Sequence, residues 1–266
     1  MSKDRKYFDY FNFPITILQL KNGDYTGRMR DMVLYALHDY TKKLTYGTYI
    51  QKYSEAAKKF NVHIYSKISE SYADAKKVHE KYFSHYQPLT GISIKTYWEF
   101  IDNDKSTFDF QCLFTYLALK SIVGTKPYLK ITNDLMIARH GGYISKKYLP
   151  NPLPSHLEVI KTRYWSDKIK EELKNNWGVN FYGYQFRGFY FSLSLSYKQL
   201  VLEAEKNRIN LKRKNQKNEE AKIRLEVINE LMKSTTPSQH HDSIDNNIDN
   251  SIDHNIDNST LNKVIK

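Results

Sequence analysis

Arg163, Ser166, Lys170 and Lys174 recur at intervals of three, four and four, the spacing that brings side chains onto one face of an α-helix. Leu157, Ile160, Tyr164, Trp165, Ile169, Leu173 and Trp177 mark another side of the same segment. One side is therefore expected to bury against a core while the other presents three cations and a hydroxyl outward. Such a row suits phosphate oxygens, which carry the opposite charge and accept charge-assisted hydrogen bonds. Lys130 and Arg139 precede this row, Lys146 and Lys147 lie in the connection before it, and Arg187 follows it. All nine are candidate contacts for a polyanion.

The elements that must hold these groups can be read from local signals. Tyr128 to Ile131 is a short extended piece, and Thr132 stands where a helix N-cap accepts an orphan backbone N–H. Leu135, Met136 and Ala138 then form the stripe of a short helix that stops at Gly141-Gly142, since glycine adopts the left-handed conformation at low cost. Beyond Pro150, Pro152 and Pro154, Ser155 and Glu158 spell a capping box. This predicts one helix from Ser155 to about Trp177, halted by Gly178. The period then drops from 3.6 to 2: Val179 and Phe181 alternate with Asn180 and Tyr182, and Phe189, Phe191, Leu193 and Leu195 alternate with Tyr190, Ser192 and Ser194. Between these runs lies a glycine-bounded tip, Gly183 to Gly188, with Arg187 near its apex. That is a hairpin signal.

The order short strand, short helix, longer helix, two-stranded hairpin resembles the winged helix-turn-helix superfamily of DNA-binding domains. The resemblance covers roughly residues 105–197, with the segment from Thr107 to Val123 as the first of three helices. It implies that the later helix enters the major groove and the earlier one crosses the backbone. Arg163, Ser166, Lys170 and Lys174 would then face DNA, Lys130 and Arg139 would flank it, and Arg187 would reach a phosphate or the minor groove. The connection from Gly141 to Pro154 departs from the pattern, being far longer than a three- or four-residue turn.

Charge supports a polyanion partner. The 266 residues carry 41 Lys and Arg against 29 Asp and Glu, a net +12. The stretch from Ser234 to the end holds five aspartates against Lys263 and Lys266, so the rest of the chain carries +15. Dense phosphate charge attracts such a surface and releases counterions when it binds. Residues 198–233 read as a basic amphipathic helix. Leu200, Val201 and Ala204 can dock on the body; Lys206 to Lys217 form a basic middle; Ala221, Leu225, Ile228 and Met232 make a fresh stripe suited to self-association. In residues 234–266, Ile244, Ile248, Ile252 and Ile256 are each followed by Asp. This repeat is rich in Asn, Asp and Ser, which compete with helical hydrogen bonding, and it is expected to be a disordered tail.

The front half reads as helical. Met29 to Leu44, Ile50 to Phe60 and Ile68 to Tyr86 repeat apolar residues at three and four, and a shorter piece runs from Ser93 to Ile101. Thr107 to Val123 is apolar all round, as a central buried helix is. The expected organisation is mainly α: a helical domain over 1–103, a winged-helix-like domain over 104–197, the basic extension over 198–233 and the repeat tail over 234–266.

The chain lacks a G-x-x-x-x-G-K-[ST] phosphate loop, an H-E-x-x-H zinc motif and a G-x-S-x-G nucleophile elbow. Glu99, Asp102, Asp104 and Asp109 sit where acids cap a following helix. The lone Cys112 excludes an internal disulfide framework and a cysteine zinc cage, and no apolar run approaches the ~20 residues of a membrane span. The sequence therefore predicts a soluble, cytoplasmic, non-enzymatic protein without cofactor or metal. It would bind duplex DNA as a transcriptional regulator or as a replication initiator or accessory factor, of phage or plasmid origin, and its Lys, Asn, Ile and Tyr content suggests an AT-rich genome. The alternative is a protein-interaction module, an inhibitor or adaptor acting on an acidic protein or ribonucleoprotein.

Overall fold

The helix with no polar side organises the molecule. In the computed structural model, which describes residues 10–20, 23–84, 86–183 and 188–234, the elements follow in the order β1 (Tyr10–Pro14), α1 (Tyr25–Lys43), α2 (Tyr49–Lys59), α3 (Ile68–Tyr82), β2 (Leu89–Ser93), α4 (Ile94–Asp102), α5 (Thr107–Val123), β3 (Leu129–Ile131), α6 (Asn133–His140), α7 (Ser155–Lys161), α8 (Arg163–Asn176), β4 (Asn180–Tyr182), β5 (Phe189–Ser192) and α9 (Tyr197–Ser234). The described residues are thus mainly helical, with two small antiparallel sheets and a long last helix. Residues through Asn210 form one compact unit, and those from Leu211 belong to a second.

At 100° per residue, positions 113, 114 and 117 of α5 fall opposite positions 112, 119 and 123. Leu113, Phe114 and Leu117 join a core with Phe11, Phe13, Met29, Met32 and Tyr53. Cys112, Leu119 and Val123 join another with Ile131, Met136, Leu157, Ile169 and Phe191. Each side of the helix thus closes a separate apolar cluster. The thiol of Cys112 is pushed up to about 12, chiefly by burial and then by Glu172 and Asp109, which fits a core residue and not a nucleophile. A capping box opens α5: the Asp109 N–H donates to Ser106 Oγ, and the Ser106 N–H donates to Asp109 Oδ2 at 2.8 Å. Asp109 is thereby accounted for as a capping group.

The strand pair β1–β2 was not legible in local sequence. Phe11 pairs with Ile92 and Phe13 with Thr90, and both phenylalanines are fully buried while Tyr10 and Asn12 face out. Two bonds tie this ladder to α5. Thr90 Oγ1 donates to the Leu117 carbonyl at 2.8 Å, and Lys120 Nζ donates to the Gly91 carbonyl at 2.8 Å.

The helix expected from Ser155 to Trp177 is two helices. Thr162, at φ −62° and ψ 144°, closes α7 and caps α8. Its Oγ1 donates to the Val159 carbonyl at 2.7 Å and accepts from the Trp165 N–H at 3.4 Å, so a β-branched capping residue outcompetes one more helical turn. The Ser155-Glu158 capping box is also not formed. Pro154 stands at the N-cap with Ser155 already helical, and the Pro154 carbonyl accepts from the Leu157 and Glu158 N–H groups.

The second sheet has the order β3-β5-β4. Ile131 pairs with Phe189, and Phe181 with Phe191. Gly188 lets the hairpin approach β3: its φ is +83°, and a Cβ there would lie 2.3 Å from the Ile131 carbonyl oxygen. The strand ends at Ser192, sooner than the alternation to Leu195 predicts. Ser192 Oγ donates to the Pro127 carbonyl and accepts from the N–H groups of Ser194 and Leu195, which turns the chain into α9. Leu200 and Ala204 of α9 are then buried.

Between α1 and α3, the rings of His38 and His79 lie 4.7 Å apart, and His79 stacks on Tyr35. Both are buried; His38 Nδ1 has no hydrogen-bond partner, and His79 Nε2 stands 3.8 Å from Asp39 Oδ1. Burial, first, holds both imidazoles below the usual range; at His38, which lies at about 4, His79 and then Lys42 add to it, and at His79 Lys42 does, while Asp39 opposes this at both rings. A histidine kept neutral by the fold but protonated in the unfolded chain destabilises as pH falls from its unfolded pKa towards its folded one. Stability should therefore hold above pH ~6.5 and decline between 6.5 and 4. His38 alone should contribute a loss of roughly 2 kcal/mol between pH 7.5 and 5. Urea denaturation across that range, repeated on His38→Phe with a flattened response expected, checks this.

Candidate nucleic-acid interface

Helix α8 is amphipathic because Ser166, Ile169 and Leu173 point into the second core. Its exposed positions are Arg163, Tyr164, Asp167, Lys168, Glu171 and Lys174, followed by Asn175 and Asn176 at its end. Two expectations are thereby corrected. Ser166 is 6% exposed, with its hydroxyl buried and unpartnered, and does not face solvent with the cations. One residue's rotation, 100°, separates it from Asp167, which does. Tyr164, expected on the buried side, is 68% exposed.

Three of the candidate lysines rest on aromatic rings of the second sheet or its flank. Lys170 Nζ donates to Asn133 Oδ1 at 3.0 Å and lies 4.4 Å from the centre of the Phe189 ring. It is half-buried, and desolvation lowers its pKa, with Asp167 opposing. Lys174 lies 5.6 Å from the Tyr197 ring, and Lys130 lies 5.6 Å from the Tyr190 ring across the β3–β5 pair; both are exposed. Ammonium groups held over ring faces are positioned without a carboxylate neutralising them. A cleft of about 410 Å³ opens here, lined by Asp167, Lys170, Phe181, Tyr182, Gly183, Phe189 and Tyr197.

The remaining candidates are placed differently. Arg163 is exposed, with Nε 3.5 Å from Asp167 Oδ2. Lys146 is exposed and donates to Asp134 Oδ2 at 3.0 Å, and Lys147 is exposed beside it in a 3-10 turn. Arg139 is not an outward flanking cation. It is half-buried, its Nε and Nη1 are buried without partners, and desolvation lowers its pKa. Arg187 lies outside the described residues.

Spacing alone could not find four further residues. Asn133, the anchor of Lys170, is brought there by tertiary structure. Lys168 lies 4.8 Å from the Phe108 ring and 5.2 Å from Trp165, a position visible in the sequence only as one more cation. Asp167 and Glu171 place carboxylates among the outward cations of α8. At the β4 edge Tyr182 Oη donates to Glu205 Oε1 at 2.7 Å, and at the β3 edge Asn207 Nδ2 donates to Tyr128 Oη at 2.7 Å, fastening α9 to the sheet.

No family model, curated protein or solved structure matches this chain. Among the described residues, no cluster of three His, Cys, Asp or Glu side chains could hold a metal ion, and no helix is long and apolar enough to cross a membrane.

Two substitutions separate supporting roles from surface ones. Ser166→Ala removes a buried hydroxyl and raises helix propensity, so stability should stay level or rise by up to about 0.5 kcal/mol. Thr162→Ala removes the shared cap and should lower it by about 1 kcal/mol. Urea denaturation reads both, and a large loss at Ser166 would contradict its placement.

Proposed function

We propose that this protein binds duplex DNA without catalysing a reaction, through a winged-helix arrangement of α5, β3, α6, α8, β4 and β5, as a transcriptional regulator or a replication initiator or accessory factor. The observation that carries the reading is that β3, the strand preceding α6, joins the hairpin in one sheet beside α8. The order of elements on which the resemblance rests thus belongs to a single folded body. Around it, Lys170 and Lys174 lean towards the hairpin and its flank, Lys130 stands on the sheet, and Arg163 marks the start of α8. The charge of +15 outside residues 234–266 supplies the non-specific attraction that such a partner requires. The insertion of α7 and the Pro-rich connection between α6 and α8 sets this arrangement apart from a tight helix-turn-helix, and phosphate contacts from Lys146 and Lys147 would use that connection.

The mixed-charge face of α8 favours a second reading, in which Asp167 and Glu171 together with Arg163 and Lys168 dock a protein surface of alternating charge.

Fluorescence anisotropy with a labelled duplex of ~25 base pairs distinguishes the two readings. For the DNA reading, affinity should fall steeply between 50 and 300 mM salt. Arg163→Ala and Lys174→Ala, both exposed, should each weaken binding several-fold and reduce the log–log salt slope by about 1. Salt-independent or absent binding to duplex, single-stranded DNA and RNA would overturn it.

A further inference from the structure

From Arg208 to Lys233 every residue of α9 is exposed. For most of that length this suits its composition, but the last three turns are different. Ala221, Leu225, Ile228 and Met232 recur at four, three and four, and Leu231 stands beside that stripe. Leu225 is 60% exposed and Ile228 41%. A solvated helix bearing this many aliphatic groups is marginal in water, and its stability comes from covering the apolar face.

We propose that residues 218–233 pair with the same residues of a second copy of this chain, in antiparallel orientation. The spacing of four, three and four is a heptad seam, in which Ala221 and Ile228 occupy one core position and Leu225 and Met232 the other. In the antiparallel register, Leu225 meets Ile228 of the second copy and Ala221 meets Met232 of the second copy. Covering these faces buries on the order of 1,000 Å² in total, about what a specific interface needs.

The charges choose the orientation. A parallel pair would set Lys217 of one copy against Lys222 of the other, and Lys214 against Lys214 in the seam. It would also align the basic stretch from Lys206 to Lys217 along its equal. Like charges at these positions are destabilising. In the antiparallel register, Lys222 meets Asn229, Arg224 lays its stem against Leu231, and the basic stretches fall outside the overlap. Glu219 and Glu220 come level with Lys233 of the second copy, an attractive contact at each end. Glycine and proline are absent from residues 197–234, so the helix is uninterrupted across the seam.

The test uses the full chain. Light scattering coupled to gel filtration at 5–200 µM should give twice the 31.5 kDa chain mass. Leu225→Glu combined with Ile228→Glu should return the mass of one chain, with an unchanged melting temperature for the body because both positions are exposed. A wild-type monomer at 200 µM would overturn the proposal, whether residues 235–266 or another protein then covers the face. A double variant that stays dimeric would overturn it as well. Orientation is read with Ala221→Cys and Met232→Cys under mild oxidation. In an antiparallel pair, each introduced cysteine lies about 16 Å along the axis from its own counterpart, beyond disulfide reach. The mixture should therefore cross-link at least ten-fold more than either variant alone. Efficient self-cross-linking of each single variant would refute the antiparallel arrangement, and Cys112, buried in all of them, serves as the common background.

Discussion

Burial of α5 on both of its sides is the constraint from which the rest of this structure follows. A helix whose apolar residues surround it cannot rest against a single neighbour, because one side would then stay in water at roughly 25 cal/mol for each Å² of apolar surface. Here Phe114 and Leu117 complete one cluster while Cys112, Leu119 and Val123 complete another. The helical front half and the sheet-bearing back half are built outward from the same rod. Its two bonds with β2, donated by Lys120 to the Gly91 carbonyl and by Thr90 to the Leu117 carbonyl, hold the front strand pair in register with it. Trp177, just past the end of α8, touches both clusters and ties the candidate interface to the same support.

That support determines what the cations can do. Ile169 and Leu173 anchor α8 so firmly that its rotation is set by the core. The helix then presents Asp167 where the spacing had placed a serine, and its lysines turn to the rings of Phe189 and Tyr197. A lysine over a ring keeps its charge available while losing some rotational freedom, so the cost of ordering it on a ligand is already partly met. Lys170 is the extreme case. Asn133 holds it, and the groove desolvates it, so it contributes to the junction of α6 with α8 as much as to any surface.

The buried polar groups are unevenly distributed. The histidine pair between α1 and α3 and the guanidinium of Arg139 leave nitrogen atoms without partners. On α1, by contrast, Arg28 forms an ion pair with Asp31 at 2.8 Å. Such unpaired groups cost folding free energy. The imidazoles avoid part of that cost by staying neutral, which couples both halves to pH, since burial also lowers His140, to about 3, and His156 in the sheet-bearing half.

Most of the helices were legible in the sequence alone, because helix formation is governed by contacts three and four residues away. The stripes of α1 to α6, the cap Thr132 and the long α9 are all local facts. So was the hairpin, through its change of period and bounding glycines. The Ile-Asp repeat lies outside the described residues. Tertiary structure decided the rest. The pairing of β1 with β2 joins segments nearly eighty residues apart, and no local pattern specifies a partner at that distance. The break at Thr162 required knowing that α7 must turn to bury Leu157 and Ile160 while α8 buries Ile169. Which side of α8 meets water, and that Asn133 would meet Lys170, depended on how three elements close around Phe189. Side-chain types and their spacing are properties of a chain, but the direction each group faces is a property of the core that the whole chain builds.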